Sequence, residues 1–164
     1  MAQNLSEQEI QRREKLDRLR ELGIDPYPAA EFKVDCSAED ILENYDSNKT
    51  LYKTVSFAGR IMRRRMQGKA AFVEMQDASA KIQVYFNRDE ICPGEDKTMY
   101  NEVFKKLIDT GDIVGVKGYV FTTQVGETTI HANEFVLLTK SVKPLPQPKV
   151  DAEGNEFDAF TDPE

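Results

Sequence analysis

The stretch AAFVEMQDASAKIQVYF, from Ala70 to Phe86, restricts the possible folds more than any other part of the sequence. Its two halves alternate apolar and polar side chains with period two, which is typical of strands with one buried face. The apolar set expected to face a core is Val73, Met75, Ile82, Val84 and Phe86. The segment DASA between the halves has the length and composition of a turn. The sequence therefore predicts an antiparallel β-hairpin.

Two aromatic residues of this hairpin, Phe72 and Tyr85, fall on the face that should meet water. If the turn pairs Gln76 with Lys81, Phe72 lies opposite Tyr85 and is a diagonal neighbour of Gln83. A cross-strand Phe–Tyr pair that only stabilises the sheet is one explanation of this arrangement. A binding surface is the other, because bases of single-stranded nucleic acids stack on aromatic rings and are read by amide groups.

Basic residues are concentrated around the same hairpin, although the whole chain has a net charge of −7. Eight basic and two acidic residues lie between Lys53 and Arg88, and six acidic residues follow in the last fourteen positions. Phosphate affinity depends on the local field rather than on the sum over the chain. Arg60 and Arg64 of the preceding strand are expected to share the face of Phe72 and to contact phosphates. A solvated charged face is the alternative for the arginine run.

The remaining segments complete a set of five strands and one helix. Period-two alternation predicts a first strand from about Tyr52 onward, and helical spacing of apolar residues predicts a helix in KTMYNEVFKKLID. The fourth and fifth strands are expected in GDIVGVKGYVFTT and ETTIHANEFVLLT. This order fits a mainly β protein with an OB-fold, a five-stranded Greek-key barrel with a helix between strands 3 and 4, whose second and third strands bind oligonucleotides.

An N-terminal helix precedes the barrel. Ser6 and Glu9 have the spacing of a capping box, Leu5 and Ile10 could form a hydrophobic staple, and Gly23 is placed to end the helix. The thin apolar stripe predicts packing on a surface rather than inside a core. The expected organisation is therefore a helix and connecting segment over residues 1–50, the OB barrel over residues 51–142, and a Pro-rich, then acidic linker over residues 143–164.

Several classes of protein and site are disfavoured by the sequence. No apolar run approaches the ~18 residues of a membrane span, and the N-terminus lacks a secretory pattern, so we expect a cytoplasmic protein. Cys36 and Cys92 lack the spacing of a zinc site or a disulfide framework. The glycines at 111, 115 and 118 lie in a strand pattern rather than in a phosphate-binding turn. His131, the single histidine, is expected to be an ordinary strand residue. We expect no catalytic residue, metal or cofactor in this chain.

Five segments, in order, resemble the N-terminal anticodon-binding domain of bacterial-type class II lysyl-tRNA synthetases. They are RREKLDRLRELGIDPYP, VSFAGRIMRRRMQGKAAFVEMQD, IQVYFNRD, FKKLIDTGDIVGVKGYVF and LLTKSVKPLP. The resemblance implies that Phe72 stacks on the central uridine of the lysine anticodon and that Gln83 hydrogen-bonds the edge of that base. It also implies a position for Arg60 beside the anticodon loop. Glu127 resembles an acidic residue of the fifth strand near the first base, although aspartyl relatives use an acid at the position of Thr129.

The same resemblance implies that the chain is one domain of a larger enzyme. Such an enzyme, a lysine–tRNA ligase, activates lysine with ATP and magnesium in a separate catalytic domain and is a homodimer. The expected partner of this chain is the anticodon loop of the lysine tRNA. Two alternatives stay open from the residues: a free-standing OB-fold protein that binds single strands without regard to sequence, and a structural module whose sheet face docks a protein.

Overall fold

The computed structural model describes residues 6–28, 32–142, 149–150 and 156–157, with side chains given for the first two ranges. The helices are α1 (Glu7–Glu21), α2 (Ala38–Asn44), α3 (Arg88–Ile91), a 3-10 turn (Lys49–Tyr52) and a π-helix (Met99–Leu107). The strands are β1 (Val55–Gln67), β2 (Ala70–Gln76), β3 (Lys81–Asn87), β4 (Ile113–Thr122), β5 (Thr128–Thr139), β6 (Lys149–Val150) and β7 (Glu156–Phe157).

Strands β1 to β5 close into a barrel in the order β1-β2-β3-β5-β4, with β4 paired back to β1. All pairs are antiparallel except β3 with β5, which are parallel. The predicted hairpin register is confirmed, since Gln76 pairs with Lys81 and Phe72 pairs with Tyr85. The mainly β OB-fold is also confirmed, with α3 and the π-helix between β3 and β4. The helix predicted in that connection therefore takes a π-helical form.

The barrel core contains the side chains that the alternation assigned to it. Val73, Met75, Val84 and Phe86 are fully buried, and Ile82 is 3% exposed. The Phe86 ring lies 4.5 Å from the ring of Phe104 in the π-helix, measured between centroids. The π-helix thus packs its apolar side against the barrel and extends the core beyond the five strands.

Helix α1 begins and ends close to the residues that the sequence predicted. The Oγ of Ser6 accepts a hydrogen bond of 3.2 Å from the backbone N–H of Glu9, which satisfies one free donor of the first turn. Gly23 follows the helix with a φ of +78°, a conformation that glycine adopts without steric penalty. Leu19 is fully buried, and Arg18 forms an ion pair of 2.6 Å with Glu102 of the π-helix. The predicted staple includes Leu5, which lies outside the described residues.

A buried ionic cluster joins α1 to the segment that precedes β4 and to the residue that follows β5. The Nζ of Lys140, which is 2% exposed, donates to Asp109 at 2.7 Å and to Asp112 at 2.8 Å. Lys15 of α1 donates to the other oxygen of Asp109 at 2.6 Å. Burial would raise the Asp109 pKa, but the hydrogen bonds from Lys140 and Lys15 outweigh it and hold this pKa below its ordinary value. Burial raises the Asp112 pKa, with Lys140 opposing the shift.

Some elements were not predicted. Helix α2 carries a full capping box between Ser37 and Asp40, and α3 directly follows β3. The predicted linker over residues 143–164 lies mostly outside the described residues, but β6 and β7 pair there as a short antiparallel ribbon. Among the described residues, no helix has the length and apolar character needed to cross a membrane.

Candidate nucleic-acid interface

The pairing register aligns outer-face positions of the barrel into two rows that cross all five strands, and one of these positions, Thr129, is fully buried. The first row, in the order β1, β2, β3, β5 and β4, is Arg65, Phe72, Tyr85, His131 and Tyr119. The second row, in the same order, is Arg63, Glu74, Gln83, Thr129 and Phe121. The predicted hairpin, formed by β2 and β3, therefore supplies the middle of a wider surface.

Four aromatic rings lie in contact along the first row. The ring centroids of Phe72 and Tyr85 are 5.3 Å apart, and those of Tyr85 and His131 are 4.9 Å apart. His131 and Tyr119 stack with an interplanar angle of 18° and a centroid distance of 4.6 Å. Phe121 of the second row lies 5.6 Å from His131. The outer face of the barrel is thus an aromatic platform.

A guanidinium group covers part of the Phe72 ring. The Cζ of Arg65 lies 5.2 Å from the centroid of this ring, within the range of a cation–π interaction. Arg65 and Arg63 are exposed, and neither forms an ion pair among the described residues. These two arginines are therefore available to anionic groups that approach the β1 end of the rows.

The second row contains a short chain of hydrogen bonds. The Nε2 of Gln83 donates to the Oγ1 of Thr129 at 3.2 Å. The same Oγ1 donates to the backbone carbonyl oxygen of Glu127, also at 3.2 Å. Thr129 is fully buried, whereas Gln83 is half-buried on the outer face. The amide of Gln83, a diagonal neighbour of Phe72 in the register, is therefore held from the β5 side by the buried hydroxyl of Thr129.

The prediction that Arg60 and Arg64 share one face is wrong, because β1 contains a bulge between Ile61 and Arg63. Arg60 lies before the bulge on the outer face, where its Nη1 donates to the carbonyl oxygen of Gly111 at 3.3 Å. Arg64 lies after the bulge, opposite the buried Val73.

The guanidinium of Arg64 is occupied inside the fold. Its Nη1 donates to the carbonyl oxygens of Phe104 and Ile108, each at 2.7 Å, at the C-terminal end of the π-helix. Burial lowers the pKa of this guanidinium, with the carboxylates of Asp109 and Asp112 opposing the shift. Arg64 therefore satisfies helix carbonyls that would otherwise lack a donor.

Glu127 lies one residue before β5, at the end of the β4–β5 hairpin loop, rather than within the fifth strand. Its backbone N–H donates to the Oγ1 of Thr123 at 3.1 Å, and its carbonyl oxygen accepts from the N–H of Thr123 at 2.9 Å. The exposed carboxylate forms no ion pair among the described residues. Glu127 thus lies at the rim of the platform, two residues before Thr129 of the second row.

The structure adds residues that the sequence analysis did not assign to the surface: Arg63, Arg65, Tyr119, Phe121 and His131. His131 was expected to be an ordinary strand residue, but its Nδ1 lies 2.9 Å from the hydroxyl oxygen of Tyr119 and its Nε2 contacts a carboxylate oxygen of Glu90. Alternation within β4 and β5 could have indicated the outward side of Tyr119 and His131. Only the strand order brings them beside Tyr85.

Other kinds of site receive little support from the described residues. They contain no group of three or more His, Cys, Asp or Glu side chains placed to hold a metal ion.

A cavity of about 550 Å³ lies away from both rows and is lined by Asp35, Cys36, Asp40, Asn44, Asn48, Leu51, Tyr52, Thr54 and Val55. Burial, followed by hydrogen bonding with Asp35, raises the pKa of the Cys36 thiol to about 12, so this thiol stays protonated at neutral pH.

The closed five-stranded barrel, the aromatic platform and the adjoining arginines define a nucleic-acid-binding OB-fold domain. Comparison with known proteins gives the particular family. Residues 55–138 match the tRNA anticodon family, described as OB-fold nucleic acid binding domain, and the chain belongs to that family.

Curated relatives cover nearly the whole of this chain, and those compared are each named lysine–tRNA ligase. The relative from Christiangramia forsetii is 55% identical over 162 residues, which is 99% of this chain and 28% of the relative. A relative from Porphyromonas gingivalis is 55% identical over 161 residues, again 28% of its length. The relative from Azobacteroides pseudotrichonymphae is 48% identical and is covered over 32% of its length. The chain therefore spans about 28% of the first two of these relatives.

Proposed function

We propose that this chain binds the anticodon loop of the lysine tRNA and reads its central uridine with Phe72 and Gln83. The observation that carries the proposal is the placement of these two side chains as diagonal neighbours on adjacent strands, where Phe72 offers a half-buried ring and Gln83 an amide. Base stacking on an aromatic ring supplies about 1–3 kcal/mol per base and does not depend on base identity. The amide adds the hydrogen bonds that distinguish one base from another.

The arginines of β1 supply the contacts to the RNA backbone in this proposal. Arg63 and Arg65 lie at the β1 end of the two rows, and Arg60 lies on the same outer face at the other side of the bulge. Positive charge at this edge neutralises phosphates of a strand whose bases lie across β2 and β3. Tyr85 of the adjacent strand β3 contacts the Phe72 ring and supports it. Glu127, at the rim of the aromatic platform, approaches the first anticodon base.

We further propose that the chain acts as part of a lysine–tRNA ligase, which joins lysine to its tRNA. Support comes from the curated relatives of that name, which are about three and a half times as long as the matched segment. ATP, magnesium, a homodimeric assembly and a cytoplasmic location belong to that whole protein in the proposal. The 164 residues of this chain contribute anticodon recognition.

The test compares three RNA hairpins that share one stem and differ only in the loop. One loop carries the uridine-rich lysine anticodon, the second carries the same bases in scrambled order, and the third replaces the central uridine alone. We expect the first to bind most tightly. Equal binding of all three would favour a single-strand binder without sequence preference. A complete lack of binding at low salt would favour a sheet face that docks a protein.

A further inference from the structure

We propose that Thr129 is a specificity-determining positioning residue, which fixes the Gln83 amide so that its oxygen faces the bound base and cytidine is rejected in favour of uridine. This inference rests on the proposed function, because it concerns the base that stacks on Phe72. Thr129 itself is fully buried and does not touch RNA. It acts through the hydrogen bond that it accepts from Gln83.

The orientation follows from counting protons. A threonine hydroxyl carries one proton, and that of Thr129 is donated to the carbonyl oxygen of Glu127. The Oγ1 can therefore only accept from Gln83, which requires that the amide nitrogen, not the amide oxygen, faces Thr129. If the amide rotated by half a turn, two acceptor oxygens would face each other without a proton between them. The second hydrogen bond thus determines the direction of the first.

The fixed amide matters because uracil and cytosine have nearly the same shape and differ in their hydrogen-bonding edge. At ring position 3, uracil carries an N–H donor and cytosine carries an acceptor nitrogen. A base whose position is set by stacking on Phe72 presents this edge to Gln83. The amide oxygen accepts from uracil and is repelled by cytosine. A freely rotating amide would turn its NH₂ group toward cytosine and bind both bases.

The alternative source of the preference is Glu74, which faces Gln83 from the other side in the register. The carboxylate of Glu74 lies 3.7 Å from the Nζ of Lys81, so its charge is directed toward that lysine. No hydrogen bond joins Glu74 to Gln83 among the residues that the structure describes. The amide is therefore oriented from the β5 side.

The first experiment examines the protein without RNA by nuclear magnetic resonance. In the wild-type chain, one of the two side-chain amide protons of Gln83 should be protected from exchange with water, and both should show Overhauser contacts to the Thr129 methyl group. Thr129→Val should abolish the protection. Lack of protection in the wild-type chain would overturn the proposed orientation, whether or not the protein binds RNA.

The second experiment measures affinities for hairpins with uridine or cytidine at the central loop position. A well-placed base contact discriminates by about fivefold or more, so Thr129→Val should lower the uridine-to-cytidine affinity ratio by about that factor, chiefly by strengthening cytidine binding. Thr129→Ser keeps the hydroxyl and should retain the wild-type ratio. Thr128→Val is the matched control, because the neighbouring hydroxyl of Thr128 has no hydrogen-bond partner among the described residues.

The outcomes separate this inference from the function on which it rests. An unchanged ratio in Thr129→Val, or an equal loss in the Val and Ser variants, would refute the role of the hydroxyl while the preference for the anticodon loop persisted. A wild-type chain that bound the scrambled loop equally well would instead refute the proposed function. Urea melts of each variant establish that the comparison is made between folded proteins.

Discussion

Arg65 lies over the Phe72 ring, with 5.2 Å between its guanidinium carbon and the ring centroid, whereas the adjacent Arg64 points to the opposite side of β1 and binds the end of the π-helix. The bulge between Ile61 and Arg63 determines which arginine takes which role. Two neighbouring residues of the same type therefore offer a matched comparison of surface and structural functions.

Replacing each of these arginines by methionine should separate the two functions. Arg65→Met should change the free energy of unfolding by under about 1 kcal/mol, the size of an exposed cation–π contact. It should also reduce the steepness of the plot of log affinity against log salt by about 0.7, the value for one neutralised phosphate. Arg64→Met should leave that slope unchanged. It should lower stability by about 1.5–3 kcal/mol, because the hydrogen bonds that it loses come from a charged donor.

Urea melts and hairpin titrations at four salt concentrations measure both quantities. A reduced slope for Arg64→Met together with an unchanged slope for Arg65→Met would contradict the assignment and would restore the facing predicted from simple alternation.

Phe72 and Phe86 provide a second matched pair, on adjacent strands and on opposite faces of the barrel. Phe86 is fully buried against Phe104, so Phe86→Ala should leave a cavity and destabilise the domain by about 3–5 kcal/mol. Phe72→Ala removes a cross-strand contact with Tyr85, which contributes under about 1 kcal/mol. Hairpin binding should weaken by about 1–3 kcal/mol through loss of the stacking ring. If Phe72→Ala left binding unchanged, the Phe–Tyr pair would serve only the sheet.

Truncation of Gln83 should impair base discrimination more than overall binding. Gln83→Ala removes the amide but leaves the hydrogen bond from Thr129 to the Glu127 carbonyl oxygen intact, so stability should change by about 1 kcal/mol or less. The preference for uridine at the central position should fall by about 1–3 kcal/mol. Titrations with hairpins that carry each of the four bases measure this preference. A uniform loss of affinity for all four would mean that Gln83 positions the strand without reading it.

Lys140 should be the most consequential charged residue of the fold. Lys140→Met leaves the carboxylates of Asp109 and Asp112 without their shared cation, and loss of one partner from a buried ionic group costs about 3–5 kcal/mol at pH 7. Lys15→Met is the control, because that side chain is 29% exposed and its ion pair with Asp109 should contribute about 1 kcal/mol or less.

The Lys140 effect should also depend on pH. The Asp109 pKa lies below its ordinary value, so the stabilisation from this carboxylate is complete above the unfolded pKa of about 3.9 and is lost as pH falls through the folded pKa. Lys140→Met raises the carboxylate pKa values, and protonation relieves the unpaired charge. The stability difference from wild type should therefore shrink between pH 7 and about pH 3. A constant difference in urea melts across that range would contradict the ionic explanation.

Gly118 should not tolerate a side chain, because a Cβ at this position would lie 1.8 Å from the carbonyl oxygen of His131. The glycine lies where the β4–β5 register shifts between Lys117 and Gly118, at one of the two irregularities in this strand pair. Gly118→Ala should destabilise the domain by about 1–3 kcal/mol or more through backbone displacement. Gly94→Ala is the control, because no atom lies within 4 Å of the added carbon there. Thermal melts compare the two, and an equal effect would mean that the backbone at this irregularity adapts freely.

The sequence was most informative where structure depends on neighbouring residues. Alternation in β2 and β3 placed Phe72 and Tyr85 outside and Phe86 inside, because side chains on a strand point to alternate faces with a fixed period. The cap at Ser6 and the left-handed Gly23 were predicted for the same reason, since both depend on contacts within one helical turn.

The tertiary structure decided what depends on distant residues. The bulge in β1 reversed the faces of Arg64 and Arg65, and its position is set by pairing with β2 rather than by the arginine run. His131 and Thr129 reached Tyr85 and Gln83 because β5 pairs with β3 in parallel, across a separation of 46 residues. A local pattern fixes the direction of a side chain but not its neighbours. The sequence therefore determined that Phe72 and Gln83 lie on this surface. Only closure of the barrel decided which groups hold them in place.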